Sequence, residues 1–383
     1  MKRLHKALVR HAGKVVVRDW PTRQPVGYEL TVRPVFSGLC GTDIQILRGM
    51  RDDPSLVLGH EGIARVAEVG EKVPSHLAPG TLVCINPTHR SDPSFLLGHN
   101  VDGLMQENVL IPAGAVQAGL VLPLESTHQT VLSTLLEPLA AVHYAFELLS
   151  VQAPDALVVF GDGVVGHLAV RAAAGKLGAG IRILHLHHTE QGLAWSRAHK
   201  VGAAESVLNN TAGAALLSSL PEEVRVAVLI ATPRDATLTC LETAMRYIRG
   251  DLSINLLGGL TADATTALLP GVGLSQIRAA NCGGRPNPGA SFTCRTREGK
   301  TIQLVGQRGV ANRHLRSAAA ELKSDPQRYE ALITHTLSPT AAADVMTHLA
   351  SSNKRQIDGR RLIKLAVQFN TSTQLSGETQ SCL

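Results

Sequence analysis

A glycine-rich stretch near the middle of the chain decides the fold: residues 158–166 are Val-Val-Phe-Gly-Asp-Gly-Val-Val-Gly. The apolar run Ala156–Phe160 predicts a buried strand, and the pattern from Val165 to Leu177 predicts a helix directly after the turn. The glycines alone would also suit an ordinary corner between a strand and a helix. Their G-x-G-x-x-G spacing in this context is typical of a turn that binds a dinucleotide.

Each glycine of this turn has its own expected task. Gly161 allows the tight turn, Gly163 lets the backbone approach a pyrophosphate, and Gly166 lets the helix lie close to the strand. The free N–H groups at the start of the helix, around Val164 and Val165, are expected to hold phosphate oxygens with help from the helix dipole. We therefore predict a nicotinamide dinucleotide, NAD or NADP, at these five residues.

Strands and helices alternate around this turn. Further strands are predicted at Ile181–Leu186, Val224–Ala231, Leu252–Leu257 and Thr301–Val305. Such alternation indicates a parallel, doubly wound sheet. Residues 1–136 differ, because short β-type runs separated by Gly and Pro predict an irregular, mostly antiparallel domain there. The predicted fold class is therefore α/β, with two domains in 383 residues.

The end of the second predicted strand leaves the choice between NAD and NADP open. NAD sites usually have an acidic residue there for the adenosine 2′-hydroxyl, whereas this chain has His187. His187 and Arg197 could hold a 2′-phosphate, which slightly favours NADP, or Glu190 could serve NAD. His185, His187 and His188 also resemble a metal cluster, but as neighbours at a strand end they are expected to point to opposite faces.

Two upstream motifs contain good zinc ligands. Cys40 lies in Gly-Leu-Cys-Gly-Thr-Asp, and His60 lies in Gly-His-Glu-Gly. A catalytic zinc takes three protein ligands and keeps one position open, so a third ligand is needed, with Glu137 and Glu61 as candidates. Asp43 is suited to orient His60 by accepting its other ring N–H. An isolated Cys or His is more often structural, but the glycine-flanked context and the downstream turn favour a metal site.

The succession Gly-x-Cys-Gly-Thr-Asp, Gly-His-Glu-Gly, Glu-Pro-Leu and Gly-x-Gly-x-x-Gly resembles the zinc-containing medium-chain dehydrogenases. The Glu-Pro version is more similar to the sorbitol and threonine dehydrogenase branch. The resemblance implies a GroES-like, β-rich catalytic domain, a Rossmann domain, an active site between them and a homodimer or homotetramer. It also implies that Cys40, His60 and Glu137 bind zinc, with Glu61 as an alternating or water-bridged partner.

The resemblance, together with the change from short β-type runs to alternating strands and helices, implies the domain limits. We expect the first part of the catalytic domain at 1–138, the Rossmann domain at 139–306, the returning part of the catalytic domain at 307–370 and a flexible tail at 371–383. The Gly- and Pro-rich segment 281–290 is expected to be a surface loop.

Two departures from the family pattern limit the comparison. Residues 86–106, where many relatives carry four cysteines for a structural zinc, contain none, so we predict one zinc per subunit. His89 and His99 in this stretch are expected to be solvated loop residues, although they could reach a substrate. Gln45 stands where a relay histidine often lies and cannot exchange a proton. The relay would therefore use Thr42 with water, a ribose hydroxyl or another histidine.

The implied function is transfer of a hydride between a nicotinamide cofactor and a small polar secondary alcohol or ketone, such as a polyol, sugar, cyclitol or aminocyclitol. One alternative is a zinc-free NADPH-dependent quinone or enone reductase on the same fold. Another is a catalytically silent nucleotide-binding protein. Retention of Cys40, His60, Thr42 and Glu137 together argues against the second alternative.

The composition limits the kinds of partner and the cellular location that we expect. Lys and Arg are scattered despite a formal charge of +6, and aromatic residues make up 3%, so no nucleic-acid surface is indicated. The six cysteines are widely spaced and do not predict a disulfide framework. The chain shows neither a signal-peptide pattern nor an apolar run long enough for a membrane span, so a cytoplasmic location is expected.

Overall fold

A computed structural model describes residues 3–352 and 354–369, so the predicted tail at 371–383 lies outside the described residues. The first part of the chain consists of β1 (Arg3–His11), β2 (Lys14–Thr22), β3 (Leu30–Gly38), α1 (Gly41–Leu47), β4 (Glu61–Val69), β5 (Leu82–Ile85), β6 (Val109–Ile111), α2 (Ala113–Gln117) and β7 (Val121–Pro123). The middle part consists of α3 (Leu136–Leu149), β8 (Ala156–Phe160), α4 (Val164–Leu177), β9 (Arg182–His187), α5 (Glu190–Ala198), β10 (Glu205–Leu208), α6 (Thr211–Ser218), β11 (Val226–Ile230), α7 (Arg234–Tyr247), β12 (Leu252–Asn255), α8 (Leu274–Ala279), β13 (Asn281–Cys282), β14 (Phe292–Arg295), β15 (Thr301–Val305) and β16 (Gln307–Arg308). The last part consists of α9 (Asn312–Ser324), α10 (Gln327–Glu330), β17 (Ile333–Leu337), α11 (Pro339–Ser351), β18 (Gln356–Ile357), β19 (Arg360–Arg361) and β20 (Lys364–Gln368).

The first large sheet joins both ends of the described chain. Its strand order is β17-β20-β3-β4-β5-β7, with β6 paired beside β3. All of these pairs are antiparallel except β17 with β20. Because Val367 of β20 lies opposite Ser37 of β3, residues more than three hundred positions apart in sequence become neighbours in this sheet.

The second large sheet has the order β10-β9-β8-β11-β12-β15-β14 and is parallel except for β14 at its edge. Its central strand β8, Ala-Leu-Val-Val-Phe, is buried at every position, as expected for a strand covered by helices on both faces. The chain continues from β8 to β9 on one side and reaches β11 on the other. Such a switch of direction opens a crevice at the carboxyl ends of the strands, where ligands of α/β sheets bind. The predicted α/β class with a doubly wound sheet is confirmed.

Helix α3 carries the chain from the first sheet to the second. It lies against α4 and α9, and its large side chains Tyr144 and Phe146 are each 1% exposed. Glu137 lies in its first turn, next to the first sheet. The helix therefore brings one carboxylate to the region where the two sheets meet.

The sequence did not indicate the edge strands β10 and β14, which are short and partly exposed. The segment 281–290 is a surface loop only in part. Arg285–Pro288 is exposed, as expected, but Asn281 is fully buried, and its side chain donates hydrogen bonds to the carbonyl oxygens of Ala290 and Gly306. No helix in the described part of the chain combines the length and apolarity needed to cross a bilayer.

Candidate metal and cofactor site

A thiol, an imidazole and a carboxylate meet beside the first sheet. The ligand atoms of Cys40, His60 and Glu61 all lie within 4.8 Å of one another. Cys40 caps the start of α1, while Glu61 is the first residue of β4 and His60 directly precedes it. Their residue types and spacing suit zinc, which prefers thiolate, imidazole and carboxylate ligands.

The glycines around His60 and Glu61 are required by the packing of β4. Gly59 has φ +98°, a conformation that L side chains rarely adopt. A Cβ atom on Gly62 would overlap the carbonyl oxygen of Phe36 on β3. The Gly-His-Glu-Gly motif therefore holds two polar side chains at a point where the backbones approach closely.

Asp43 lies next to His60, but its predicted role of orienting the ring stays a prediction. Its Oδ2 accepts a hydrogen bond from the backbone N–H of Cys40 at 2.9 Å, and its Oδ1 lies 3.8 Å from Nδ1 of His60. Burial opposes protonation of His60, but its hydrogen bond to Cys40 and the nearby acidic groups raise its pKa well above the ordinary value. Burial, and next the charge of Glu61, raise the pKa of the Cys40 thiol. A bound cation would offset this concentration of acidic groups.

Lys364 is a site neighbour that the sequence did not reveal. Its ammonium group is 0% exposed, forms an ion pair with the Glu61 carboxylate and lies 3.4 Å from the carbonyl oxygen of Leu39. In the sequence it is a lone lysine within an apolar strand, which was the only available signal. The pairing means that Glu61 already has one cationic partner within the protein.

Glu137 lies close to this group, but within the described residues its carboxylate does not lie within 4.8 Å of all three ligand atoms at once. Burial is the main reason that its pKa rises to about 7, while His60 lowers it and Glu61 raises it. The assignment of Glu137 as the third ligand therefore stays a prediction. Of the two candidate carboxylates, Glu61 lies closer to Cys40 and His60 in this conformation.

The glycine-rich turn has the predicted shape. Gly161 has φ +122°, and a Cβ there would overlap the carbonyl oxygen of Ala231 at the end of β11. A Cβ on Gly166 would overlap the carbonyl oxygen of Gly161, so the first turn of α4 lies directly on the strand end. Helix α4 starts at Val164 with Gly163 as its cap residue, which directs the first N–H groups of Val164 and Val165 toward the crevice.

One arginine connects the turn to the candidate metal site. A Cβ built on Gly163 would lie 3.5 Å from Nη1 of Arg355, and one built on Gly41 would lie 3.7 Å from Nη2 of the same side chain. Gly41 follows Cys40 directly. The glycine-rich turn and the thiol therefore face the same space between the two sheets.

Comparison with known proteins agrees with this geometry. Residues 27–120 match the alcohol dehydrogenase GroES-like domain. An alcohol dehydrogenase of Moraxella sp. (strain TAE123) is 27% identical over 49% of this chain and 58% of its own length, and a sorbitol dehydrogenase of Halalkalibacterium halodurans is 25% identical over 44% and 53%. The crystal structure of Haloferax mediterranei glucose dehydrogenase in complex with NADP, Zn and gluconolactone superposes with a TM-score of 0.69 at 17% identity, covering 96% of this chain and all of that one.

The match to a GroES-like domain, together with curated relatives that include a zinc-type alcohol dehydrogenase-like protein of Haemophilus influenzae, supports the predicted resemblance to the zinc-containing medium-chain dehydrogenases. The predicted combination of a GroES-like domain with a Rossmann-type sheet is confirmed. The matched stretch spans about half the length of the curated relatives, at 58% and 53%. The exact domain limits stay a prediction.

Residues 86–106, which contain no cysteine, are held in place by close packing and hydrogen bonds. Cβ atoms on Gly98 and Gly103 would both meet the backbone of Gly59, so this segment packs directly against the turn before His60. Asp102 accepts hydrogen bonds from Trp20 at 2.8 Å and from Ser55 at 3.0 Å. Close glycine packing and partly buried hydrogen bonds thus hold this segment against the turn before His60.

The expectation that His99 is a solvated loop residue is wrong. His99 is 5% exposed, its ring lies 5.0 Å from that of His60, and its Nδ1 lies 3.2 Å from Asp53. Burial and then the neighbouring His60 lower its pKa to about 4. The packing of Gly98 on Gly59 carries His99 inward. His89 is partly exposed, and its Nδ1 accepts hydrogen bonds from the backbone of its own loop.

The two residues expected to serve the proton relay lie on α1. Thr42 and Gln45 are both partly exposed. The backbone N–H of Thr42 donates to Sγ of Cys40 at 3.4 Å, which ties the start of the helix to the thiol. Their catalytic roles stay predictions.

The expectation that the three histidines at the end of β9 point to opposite faces is wrong for His185 and His187, while His188 is exposed. His185 and His187 are two positions apart, so they share one face, and their rings lie 4.0 Å apart. His187 is 0% exposed, and neither ring nitrogen has a hydrogen-bond partner among the described residues. Its predicted contact with the cofactor is not visible in this conformation, whereas Arg197 is exposed at the end of α5.

A different set of side chains borders the glycine-rich turn. Asp162, between the first two glycines, forms an ion pair with Arg361 at 3.0 Å and accepts a hydrogen bond from Thr189 at 3.3 Å. Sequence reasoning missed Arg361 and Arg355, because both come from the last part of the chain. They lie beside the turn only because β20 returns to the first sheet.

Proposed function

We propose that this chain is a zinc-dependent oxidoreductase that transfers a hydride between NAD or NADP and a small polar secondary alcohol or ketone. The observation that carries the proposal is Arg355, whose guanidinium group lies beside both Gly41 and Gly163. The thiol next to Gly41 and the phosphate-binding turn at Gly163 therefore face one cleft. Hydride transfer needs the substrate carbon and the nicotinamide in contact, and such a cleft can supply this arrangement.

The proposed zinc ligands are Cys40, His60 and one of the two carboxylates, Glu61 or Glu137. The donor set fits, because zinc ligands at about 2.0–2.3 Å from the ion must lie within a few ångströms of one another, and three of these groups do so. When bound, zinc supplies a Lewis acid that lowers the pKa of the substrate hydroxyl. Asp43 would hold the imidazole of His60 in position through its Nδ1–H.

The chain's own residues would handle the hydroxyl proton. Thr42, at the partly exposed start of α1, would pass it toward solvent or a ribose hydroxyl, since Gln45 has no titratable group. The first N–H groups of α4, at Val164 and Val165, would bind the cofactor phosphates. Arg197, exposed at the end of α5, would approach a 2′-phosphate if the cofactor is NADP.

A homodimer or homotetramer is part of this proposal. β14 lies at a free edge of the second sheet, and Phe292 on this strand is 38% exposed. An open edge with an exposed aromatic side chain favours pairing with another chain.

The test is a panel of polyols, cyclitols and amino alcohols assayed with NAD and NADP, with zinc content measured on the same sample. We expect about one zinc per chain and turnover of at least one secondary alcohol. Cys40→Ala should lose both zinc and turnover, while Cys294→Ala, which changes a buried cysteine on β14, should retain both. Full turnover by zinc-free Cys40→Ala protein would refute the proposal.

The zinc-free quinone or enone reductase makes the opposite prediction. Its activity with NADPH would survive chelation and the Cys40→Ala substitution. The convergence of Cys40, His60 and Glu61 supports the zinc-dependent alternative, because a zinc-free enzyme has no need for these ligands.

A further inference from the structure

Four arginines gather on the side of the cleft opposite the adenosine end of the turn. They come from the loop after α1, the start of α7, the end of α8 and β16. We call them the arginine cluster: Arg51, Arg234, Arg278 and Arg308. Burial, and then the positive charges of the other three, lower the pKa of Arg278 to about 10, so Arg278 lies within electrostatic range of each of the others.

Arg278 is held at the carboxyl ends of two strands. Its Nε donates a hydrogen bond to the carbonyl oxygen of Gly258 at 2.6 Å, and its Nη2 donates to the carbonyl oxygen of Leu257 at 3.4 Å. Both carbonyl groups lie just after β12. Gly306 follows β15, and a Cβ there would overlap Cα of Arg278. The guanidinium group is therefore anchored on one side and retains free N–H groups on the other.

Arg234 lies across the next glycine and reaches the first part of the chain. A Cβ on Gly259 would lie 3.2 Å from Cβ and 3.6 Å from Nε of Arg234. Its Nη1 lies 3.4 Å from the carbonyl oxygen of Met50. Its Nε is buried and lacks a hydrogen-bond partner within residues 3–352 and 354–369. A buried donor without an acceptor lowers the stability of the folded protein.

Arg51 links the cluster to the candidate metal site. Its Nε and Nη2 donate to the two carboxylate oxygens of Asp53 at 2.8 and 3.1 Å. Asp53 in turn lies 3.2 Å from Nδ1 of His99, whose ring packs against His60. A continuous series of contacts thus runs from the arginines to a proposed zinc ligand.

The charge of the cluster is not balanced by the protein. Within the described part of the chain, Arg51 is the one member that forms an ion pair with a carboxylate. Four guanidinium groups and one carboxylate leave three positive charges. Repulsion among them destabilises the folded protein, which a bound anion would relieve.

The position of the cluster points to the substrate rather than to the cofactor phosphates. In a doubly wound sheet the pyrophosphate lies over the first strand's turn and the adenosine over the next strand, here β8 and β9. Arg278 lies at the carboxyl ends of β12 and β15, and Arg234 lies beside Gly259 after β12. This is on the far side of β11 from the glycine-rich turn, where the nicotinamide half is expected. An anion bound there belongs beside the reacting end of the cofactor.

We propose that the alcohol substrate carries a phosphate group and that the arginine cluster binds it. This inference rests on the proposed function and names the substrate class of the same site. A phosphate monoester bears up to two negative charges, and its oxygens suit the planar fork of several arginines better than a single carboxylate does. The hydroxyl that reacts would then face Cys40 and His60.

Direct binding of inorganic phosphate tests the cluster. Zinc-loaded protein saturated with NADH or NADPH is titrated by calorimetry, so that the cofactor already fills the glycine-rich turn. We expect saturable binding that weakens with salt and that Arg234→Gln or Arg308→Gln weakens about tenfold or more. Arg225→Gln, which removes an exposed arginine at the opposite end of β11, serves as the matched control. Absence of saturable binding, or equal loss in the control, would overturn the proposal.

Matched competitors identify the group that is recognised. Glycerol 3-phosphate, glycerate and glycerol are compared as ligands under the same conditions. Preference for glycerol 3-phosphate that disappears in Arg234→Gln supports the proposal, whereas equal binding of glycerate or glycerol contradicts it. If neither reduced cofactor binds, the proposed function fails, but the effect of Arg234→Gln on phosphate binding still tests the cluster independently.

Discussion

Two buried histidine clusters in this molecule have opposite electrostatic surroundings. His60 lies among Cys40, Asp43 and Glu61, whereas His185 lies beside His167 and His187, with ring centroids 5.1 and 4.0 Å away. The acidic groups around His60 raise its pKa despite burial. Burial lowers the pKa of His185 to about 4.

The difference shows what turns a buried histidine into a candidate ligand. Burial alone favours the neutral ring, and a group of neutral rings is compatible with a protein core. A thiol and carboxylates around the ring bring negative charge into the interior, which needs a cation. The first cluster therefore fits a metal site, and the second is expected to be structural.

The largest expected effect separates the two clusters by metal content. His60→Ala should lose its bound zinc and lower turnover about a thousandfold or more, because removal of a zinc ligand removes several kcal/mol of transition-state stabilisation. His187→Leu should keep about one zinc per chain. Elemental analysis of both purified variants checks this, and zinc loss in His187→Leu would contradict the assignment of the second cluster.

The next effect concerns the buried cation within the first cluster. Lys364→Met should destabilise the zinc-free protein by about 3–5 kcal/mol, because it leaves the Glu61 carboxylate buried without its partner. Zinc should restore part of this loss, since the ion can take over the charge of Glu61. Thermal unfolding with and without zinc measures both values.

A double substitution keeps this prediction testable if Lys364→Met does not fold. Lys364→Met with Glu61→Gln removes both charges and should be more stable than Lys364→Met alone. A double variant no more stable than the single one would show that the ion pair is not the cause.

A third histidine, His143, belongs to a contact whose effect on stability should depend on pH. His143 lies 2.9 Å from Glu321, and Tyr329 donates a hydrogen bond to the same carboxylate. Although burial acts against it, the close contact with His143 and the hydrogen bond from Tyr329 lower the pKa of Glu321 to about 2. Its stabilisation, about 2–3 kcal/mol, should therefore be present above the unfolded-state pKa of about 4.3 and be lost as pH falls toward 2.

The corresponding measurement is the thermal midpoint of wild type and Glu321→Gln as a function of pH. The gap between the two proteins should be constant from pH 7 to 5 and narrow below about 4.5. A gap that does not change down to pH 3 would contradict the role assigned to this carboxylate.

The smallest effect at neutral pH is expected in the second cluster. Burial lowers the pKa of His187 to about 3, so the unfolded chain binds a proton at this residue below pH 6.5 while the folded chain does not. Stability should therefore fall as pH drops below 6.5, by up to about 2 kcal/mol at pH 5 from this group. His187→Leu should differ by less than about 1.5 kcal/mol at pH 7 and lose stability less steeply on acidification, which thermal unfolding at both pH values checks.

Local sequence patterns were sufficient to predict much of the fold and part of the candidate site. The strand Ala156–Phe160, the glycine-rich turn and helix α4 form one continuous stretch, so their geometry depends on neighbours in sequence. Cys40 and His60 stand in glycine-flanked motifs on paired parts of one sheet, and they do meet. The edge strands β10 and β14 escaped prediction because they are short and partly exposed, which weakens their apolar pattern.

Other members of the site became visible only in three dimensions. Lys364 lies 303 positions from its partner Glu61, and no sequence motif around either residue predicts that the two interact. His99 looked like a loop histidine until the packing of Gly98 on Gly59 carried it against His60. The arginine cluster joins Arg51 with three residues more than 180 positions further along the chain, so no local spacing could reveal it.

The amino-acid sequence by itself determined the class of fold, the dinucleotide turn and the candidate ligand types, since hydrophobic periodicity and glycine geometry act over short distances along the chain. Only the tertiary structure decided which carboxylate lies nearest the thiol, which lysine neutralises it and where positive charge collects in the cleft. Electrostatic interactions depend on distance and burial in space, and these follow from how the two sheets pack rather than from the order of the residues.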